Sequence, residues 1–368
     1  MRKAVIVIPT YNEKGNIERV IAALFEKAKT IPNWEIHILV VDSFSPDETG
    51  KIVIQLQKKH NNLHILEVEK SGLGNAYING FQYALDKINP YLLFEMDADL
   101  SHDPDIIDDF LKKIEQGADF VIGSRYIKGG EIPKNWGLHR KLLSFIGNII
   151  VRLGFMKLKI ADWTSGYRAI KSWIIKDAYS HIRNYSGYVF QVALLDYAVT
   201  HKAHVDEVPL RFIDRTIGES KINAIQYSSN TLFYVFTHAT FIKFVVVGLI
   251  GSGVDFGISY LLIERLRWRS WQATLLSTEI AIISNFLLNN FWAFSHKKLQ
   301  NNRLTYIWSF LKFNLISSGS IIIQTIGIAV TTSLFGQSLW YIYKILIITF
   351  VIIPYSYFFY NKFIWKEK

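Results

Sequence analysis

Tyr91-Leu92-Leu93-Phe94-Glu95-Met96, closed by Asp97-Ala98-Asp99, reads as an apolar strand ending in two carboxylates. Ala4–Ile8, Ile36–Val41, Leu63–Val68 and Phe120–Ile122 are further near-continuous hydrophobic runs of strand length. Between them, Gly15–Lys29, Asp47–His60, Gly74–Leu85 and Pro104–Gln116 read as helices. Continuous apolar strands separated by helices are buried on both faces, which indicates a parallel sheet covered on each side. Right-handed crossovers then make residues 1–220 an open, doubly wound, mostly parallel α/β domain. Ligands in such sheets bind beyond the carboxyl ends of the strands, so the polar residues after each run are the candidate site.

At the end of the fourth run the chain turns, and Asp97 and Asp99 can converge on one cation. Two acids left unpaired at the end of a buried strand would be costly, which disfavours a purely structural role. The chain has no cysteine, so a metal must sit on oxygen or imidazole. Hard oxygen ligands suit Mg²⁺ or Mn²⁺, with a diphosphate filling much of the remaining shell. Ser101-His102-Asp103-Pro104 follows as a helix start. The first strand ends in Pro9-Thr10-Tyr11-Asn12-Glu13 and the second in Asp42-Ser43-Phe44-Ser45-Pro46-Asp47. Tyr11 can pack on a base, while Glu13 or Asp42 can accept hydrogen bonds from ribose or base edges. Turn and cap chemistry accounts for Asp47 but not for Tyr11 beside Glu13.

Half of the 368 residues are apolar although 20% are charged, and the formal charge is +10. The apolar excess lies mostly beyond residue 240. There Phe241–Ile263, Ala273–Phe294, Phe310–Phe335 and Leu339–Phe359 each have the roughly 20 residues that span a bilayer. Residues 241–368 are thus expected to be an all-α membrane domain of four transmembrane helices in two hairpins. Phe241-Ile242-Lys243-Phe244 recurs as Phe310-Leu311-Lys312-Phe313, which suits a repeated hairpin. Lys243, Lys312 and Lys344 lie near span ends, whereas Asp255 and Glu279 are expected to face the bundle interior, where an acid finds a partner. Residues 221–240 form a linker whose apolar stripe of Tyr227, Phe233, Tyr234 and Phe236 suits either an interfacial helix or a core helix. Met1-Arg2-Lys3 leads into an apolar run too short for a signal peptide, so the N-terminal half is expected on the cytosolic side. The basic loop His296–Arg303 and the tail lysines Lys362, Lys366 and Lys368 agree with that side; Arg265, Arg267 and Arg269 do not. Part of the positive charge is that asymmetry, and the rest calls for an anionic partner.

Several stretches taken together resemble the family 2 glycosyltransferases: Ile8–Glu13, Asp97–Pro104, Gly123–Gly130, Asn135-Trp136, Arg140-Lys141, Thr164–Arg168 and Gly218–Lys221. In combination they are similar to the polyprenyl-phosphate (dolichyl-phosphate) mannose synthases. The membrane half resembles the GtrA-like domain of some members, most clearly in Asn285-Phe286 and Asn290–Phe294. The resemblance implies a GT-A type nucleotide-sugar-binding domain and inverting, metal-dependent transfer of mannose from GDP-mannose to a polyprenyl phosphate. It implies that Asp97, Asp99 and Ser101 hold Mg²⁺ or Mn²⁺ on the diphosphate. Pro9, Tyr11, Glu13, Asp42 and Ala98 would contact the nucleotide, and Arg215, Ser220 and Lys221 would close a loop over its phosphates. Arg125, Arg140 and Ser144 would bind the acceptor phosphate. The implied partners are phosphorylated substrates and the membrane, not nucleic acid. Two positions depart from the family pattern: Asp42-Ser43 replaces an Asp-Asp pair, and Ser101 stands where some relatives carry a longer amide. A UDP-glucose or other hexose donor is the nearest rival, and a non-enzymatic lipid-sugar flippase the rival of another class. Intact Asp97, Asp99, Arg125, Arg140 and Lys221 speak against the latter. Anchoring, lipid movement and homo-oligomer formation are all open to the membrane half.

Overall fold

The structure, a computed structural model, describes residues 1–185, 187, 189–213, 224–300 and 302–366. The chain divides into two compact units, Met1–Val235 and Phe236–Lys368.

The first unit runs β1 (Arg2–Thr10), α1 (Ile17–Lys29), β2 (Trp34–Asp42), α2 (Thr49–Gln57), β3 (Leu63–Glu67), α3 (Leu73–Lys87), β4 (Leu92–Glu95) and α4 (Ile107–Glu115). It continues with β5 (Phe120–Ser124), α5 (Leu138–Phe155), β6 (Arg168–Lys171), α6 (Ser172–Ile182), α7 (Val189–Thr200) and β7 (Val205–Pro209), then α8 (Ala224–His238). The strands form one sheet in the order β3-β2-β1-β4-β6-β5-β7. All pairings are parallel except those of β6, which runs antiparallel between β4 and β5. The expected runs are strands because the chain buries them on both faces: Ala4 to Ile8 and Ile38 to Val41 are inaccessible to solvent. Helix α4 shows the matching logic, with Ile107, Phe110, Leu111 and Ile114 forming one buried stripe.

Register brings the site together. Thr10 lies opposite Asp42, and Asp42 opposite Glu67, so β1, β2 and β3 end level. Glu95 on β4 and Ile122 on β5 both pair with Arg168, the first residue of β6. The loops after β1, β2, β4 and β5, and the loop before β6, therefore emerge at one edge. Helix α5 and strands β6 and β7 were not expected from the sequence. β6 is only four residues long and opens on a buried arginine, whereas α5 shows an apolar face to the outside.

The second unit runs α9 (Thr240–Tyr260), α10 (Ser270–Leu288), α11 (Arg303–Phe335), α12 (Trp340–Ile347) and α13 (Ile353–Phe363), with π-helical turns at Leu261–Arg265, Asn289–Ala293 and Ile348–Ile352. Among the described residues, three helical stretches are long and apolar enough to cross a membrane: Thr240–Arg265, Arg303–Phe335 and Ile342–Phe363. The expected fourth, over 273–294, is helical but lies outside that set; Thr274, Thr278, Glu279, Asn285, Asn289 and Asn290 dilute its apolarity. Asp255 does find partners inward, since Ser277 Oγ donates to it at 2.6 Å and Thr278 Oγ1 at 3.3 Å. Glu279 differs from expectation and is exposed on α10. Phe244 and Phe313, the equivalent ends of the repeated tetrapeptide, both pack on Tyr360, at 5.9 and 4.4 Å between ring centroids. Asn290 ties this core, accepting Trp365 Nε1–H at 3.1 Å and the Leu299 N–H at 3.0 Å, and donating to Tyr306 Oη at 3.1 Å.

In the first unit, α3 rests on the sheet through Gly80, where a Cβ would stand 2.6 Å from Val7 Cγ1 and 2.8 Å from Val41 Cγ2. Gly80→Ala is expected to destabilise this unit by about 1–3 kcal/mol through overpacking, despite the roughly 1 kcal/mol that alanine gains in helix propensity. Gly147→Ala on α5, where a Cβ meets nothing within 4 Å, is the matched control. Thermal unfolding followed by near-UV circular dichroism checks both, and equal midpoints would refute the close approach.

Candidate active site

One side of the edge is zipped between the first two loops. Thr10 Oγ1 donates to Asp42 Oδ1 at 2.8 Å, and Ser45 donates to both Asp42 oxygens, from its hydroxyl at 2.6 Å and its N–H at 2.8 Å. The N–H groups of Asn12, Glu13 and Lys14 donate to Ser45 Oγ, Thr49 Oγ1 and Asp47 Oδ2. Asn12 takes the left-handed conformation that this turn requires, at φ +58°, and asparagine tolerates it. Asp42 is thus a buried brace for the loop that presents Tyr11 and Glu13. Asp47 binds both Lys14 and Thr49, more than a helix cap does. Tyr11 carries the Lys70 ammonium 3.6 Å from its ring centroid, and Pro9 closes β1 just before it. Glu13 accepts from Asn16 Nδ2 at 2.8 Å.

The carboxylates follow β4. Leu100 turns the chain in the left-handed region, at φ +60°, so that Asp99 Oδ1 accepts the Ser101 N–H at 3.0 Å. Asp99, Ser101 and Ala98 are buried, whereas Asp97 is partly open. Ser101 Oγ is buried without a hydrogen-bond partner among the described residues. An orphaned hydroxyl beside two carboxylates is a donor set that fits a hard divalent cation. No group of three His, Cys, Asp or Glu residues among those described could hold an ion by itself; this site would need oxygens from the substrate or water.

His102 fixes the approach to Asp97. Its Nδ1 accepts the Asp97 N–H at 3.0 Å, which places the ring proton on Nε2, 3.8 Å from Asp97 Oδ2. The ring stacks on Tyr167 at 4.8 Å and meets the edge of Phe212 at 5.8 Å. Burial pushes its pKa down to about 4, helped by Arg125 and opposed by Asp99. Beneath, Glu95 and Arg168 are both fully buried, 3.8 Å apart. Burial raises the Glu95 carboxyl to about 7, against the pull of Arg168. Arg168 is a structural strut: it donates to the carbonyls of Ser165, Gln191 and Trp163 at 2.6–2.9 Å.

The cationic side joins β5 to α5. Arg125 forms a bidentate pair with Asp162, Nε to Oδ2 at 2.7 Å and Nη2 to Oδ1 at 2.8 Å, and also donates to Thr164 Oγ1 at 2.9 Å. Burial works to raise the Asp162 carboxyl, but the Arg125 charge and hydrogen bonds hold it below the ordinary range. Arg125 thus has protein partners where the sequence offered it a phosphate. Tyr126 Oη bonds Ser144 Oγ at 2.7 Å. Arg140 lies over the Trp136 ring at 3.9 Å; Trp136 meets Phe212 at 5.9 Å, and Phe212 also borders Arg125 at 6.0 Å and His102. Phe212 therefore links both arginines to the Asp97 side. Arg215, Ser220 and Lys221 lie outside the described residues.

Sequence reasoning missed His102, Asp162, Phe212 and Asn148, whose Nδ2 donates to the Thr164 hydroxyl that Arg125 also reaches. His102 stood inside a quoted motif, but its role needed a backbone partner five positions back. The other three show no pattern along the chain.

The site thus sets a strand-edge carboxylate pair beside a braced loop bearing Tyr11 and Glu13 and a flank of arginines. The family profile Glycosyl transferase family 2 matches residues 5–183, and the profile GtrA/DPMS, transmembrane domain, matches 243–365. A dolichol-phosphate mannosyltransferase of Pyrococcus furiosus is 31% identical over 333 residues, covering 87% of this chain and 88% of that protein. A polyprenol monophosphomannose synthase of Mycolicibacterium smegmatis is 35% identical, over 60% of this chain and 82% of its own. An undecaprenyl-phosphate mannosyltransferase of Micrococcus luteus is 36% identical, over 60% and 88%. The chain belongs to the family 2 glycosyltransferases, in the form that carries a GtrA/DPMS transmembrane domain.

The depressed His102 pKa makes a signed prediction. Between pH about 6.5 and about 4 the unfolded chain binds a proton at His102 that the folded chain refuses, so stability falls as pH drops through that window. His102→Asn, which keeps an acceptor for Asp97, is expected to lose that part of the acid sensitivity. Unfolding midpoints across pH check it; parallel curves for the two proteins would refute it.

Proposed function

We propose that this glycosyltransferase moves mannose from GDP-mannose to the phosphate of a polyprenyl (dolichyl) phosphate, with inversion at the sugar carbon. The observation that carries the acceptor is α5. This helix bears Arg140 and Ser144, yet Leu138, Leu142, Phe145, Ile146 and Leu153 stand 47–73% exposed on it. Their spacing makes one apolar face. Lys134, Lys141, Arg152 and Lys157 accompany it in sequence, as suits an anionic lipid surface. A lipid tail along such a surface brings its phosphate to the helix that carries Arg140 and Ser144 on its other side. The polyprenol, dolichol and undecaprenyl phosphates in the names of three relatives support that acceptor, and their mannosyl transfer supports the sugar.

The chemistry asks little of acid or base. A phosphate monoester has its second pKa at about 6, so near neutral pH it is a nucleophile without proton removal. Its oxygen forms the new bond to the sugar carbon as the bond to the diphosphate breaks, and the electron pair leaves on GDP. Arg140, whose planar fork suits phosphate, orients the nucleophile together with Ser144; Arg125 braces them. Asp97 and Asp99 face the carbon that gains positive character, and Tyr11 and Glu13 hold the nucleoside. Asp97, Asp99 and Ser101 would hold Mg²⁺ or Mn²⁺, which when bound supplies neutralising charge for the departing diphosphate. Lys221 and Arg215 belong to the same task. Positioning and charge neutralisation together carry the reaction.

The enzyme is an integral membrane protein with several apolar helices. In this reading α10 is a fourth crossing with its polar side turned to Asp255, the catalytic unit faces the cytosol where sugar nucleotides are made, and the membrane half provides the surface for any homo-oligomer. Asp99→Ala is expected to abolish transfer by folded protein; near-normal turnover with Mg²⁺ or Mn²⁺ would overturn the metal assignment. Arg140→Ala is expected to raise KM for the lipid phosphate about tenfold or more, the worth of a charged hydrogen bond, with a smaller effect on the donor. Purified enzyme offered radiolabelled GDP-mannose and UDP-glucose decides the donor, since only the true one yields an acid-labile lipid product.

A further inference from the structure

Helix α5 is fastened to its unit by little apolar burial. Of its 18 residues, Asn148, Val151 and Gly154 are the buried ones, and glycine brings no side chain. Apolar burial is also non-directional; the Phe155–Trp163 stack at 5.2 Å fixes the C-terminal end of α5, and packing leaves the half that carries Arg140 and Ser144 weakly fixed. Asn148 supplies the direction. Its Nδ2 donates to Thr164 Oγ1 and to Ser144 O, both at 3.1 Å, and its Oδ1 accepts the Trp163 N–H at 2.8 Å. Thr164 Oγ1 is the same oxygen that receives Arg125 Nη2, and Asp162 clamps that guanidinium. Arg140, Ser144 and Asn148 follow at steps of four, along one stripe of the helix. Ser144 is held in turn by Tyr126, the residue after Arg125.

We propose that Asn148 is a positioning residue: it sets where Arg140 and Ser144 stand relative to the sheet edge, and thereby the hold on the acceptor phosphate. The proposal rests on the acceptor reading given above. Asn148 touches no reacting atom and acts through the helix. The donor side is built by the loops after β1, β2 and β4, none of which bonds to Asn148, so loss of the amide falls on one substrate and spares the other.

Steady-state kinetics of the full-length enzyme in lipid–detergent micelles test this, with polyprenyl phosphate and the sugar nucleotide varied in turn. Asn148→Ala is expected to raise KM for polyprenyl phosphate about tenfold, the worth of a buried hydrogen bond with its partners left unsatisfied, and to keep KM for the donor within about twofold. Thr164→Val keeps the volume and removes the shared hydroxyl; it is expected to shift the same parameter and carries the test if the asparagine variant fails to fold. The double variant is expected to be less impaired than the product of the single effects, because both break one bond. Equal rises in both KM values, or a fall in kcat with both KM values unchanged, would overturn the role of Asn148 alone. A wild-type enzyme with no saturable dependence on polyprenyl phosphate would overturn the acceptor reading, and this proposal with it.

Discussion

The buried pair between Arg125 and Asp162 closes the half of the sheet that the parallel ladder leaves open. Asp162 sits before β6, the antiparallel strand, and its backbone N–H and that of Ala161 donate to Glu207 on β7 at 3.0 and 2.9 Å. Arg125 follows β5. One ion pair and one acceptor thus join three neighbouring strands at the edge that carries Asp97 and Asp99. A buried pair of this kind adds little net stability against a well-packed apolar alternative, but removing one partner strands the other in a medium that cannot solvate it. Its value here is geometric, because a bidentate fork fixes both distance and plane.

From that fixed point two sets of groups extend, with Phe212 bordering both. The carboxylate side is shaped by backbone: a left-handed Leu100, a serine N–H on Asp99, a histidine nitrogen on the N–H of Asp97. The cationic side is shaped by rings, with Phe212 and Trp136 holding the two guanidinium groups at defined separations. Backbone turns tolerate little substitution but need no particular neighbour, whereas a ring cluster needs its partners from distant parts of the chain. That difference explains what the sequence made readable. Asp97, Asp99 and Tyr11 follow apolar strands directly, so local pattern placed them. Phe212 and Asn148 owe their roles to residues many positions away, which no periodicity records. The strands buried on both faces were equally plain, while β6 was hidden by its length and by opening on Arg168, a buried charge that the Glu95 carboxyl and the carbonyls of Trp163, Ser165 and Gln191 make tolerable.

The membrane unit repeats the lesson on a smaller scale. Its repeated Phe-x-Lys-Phe units announced that two segments do the same job, and both inner phenylalanines pack on Tyr360. What the repeat did not announce is the hinge of polar contacts around Asn290, which takes hydrogen bonds from a loop N–H and a tail indole. In a medium without water such groups must satisfy one another, and an asparagine with its donor and acceptor both engaged locks the chain ends of that unit. Asp255 obeys the same rule through Ser277. The exposed Glu279 on α10 is the residue of this unit for which the structure supplies no account.

The outward apolar side of α5 bears on where the chain shows apolar surface. Among the described residues, the stretches apolar enough to cross a bilayer all lie beyond the first unit. That unit still carries six large apolar side chains exposed on α5: Leu138, Leu142, Leu143, Phe145, Ile146 and Leu153. The first unit therefore presents an apolar helix surface of its own, separate from the long helices that hydropathy singles out.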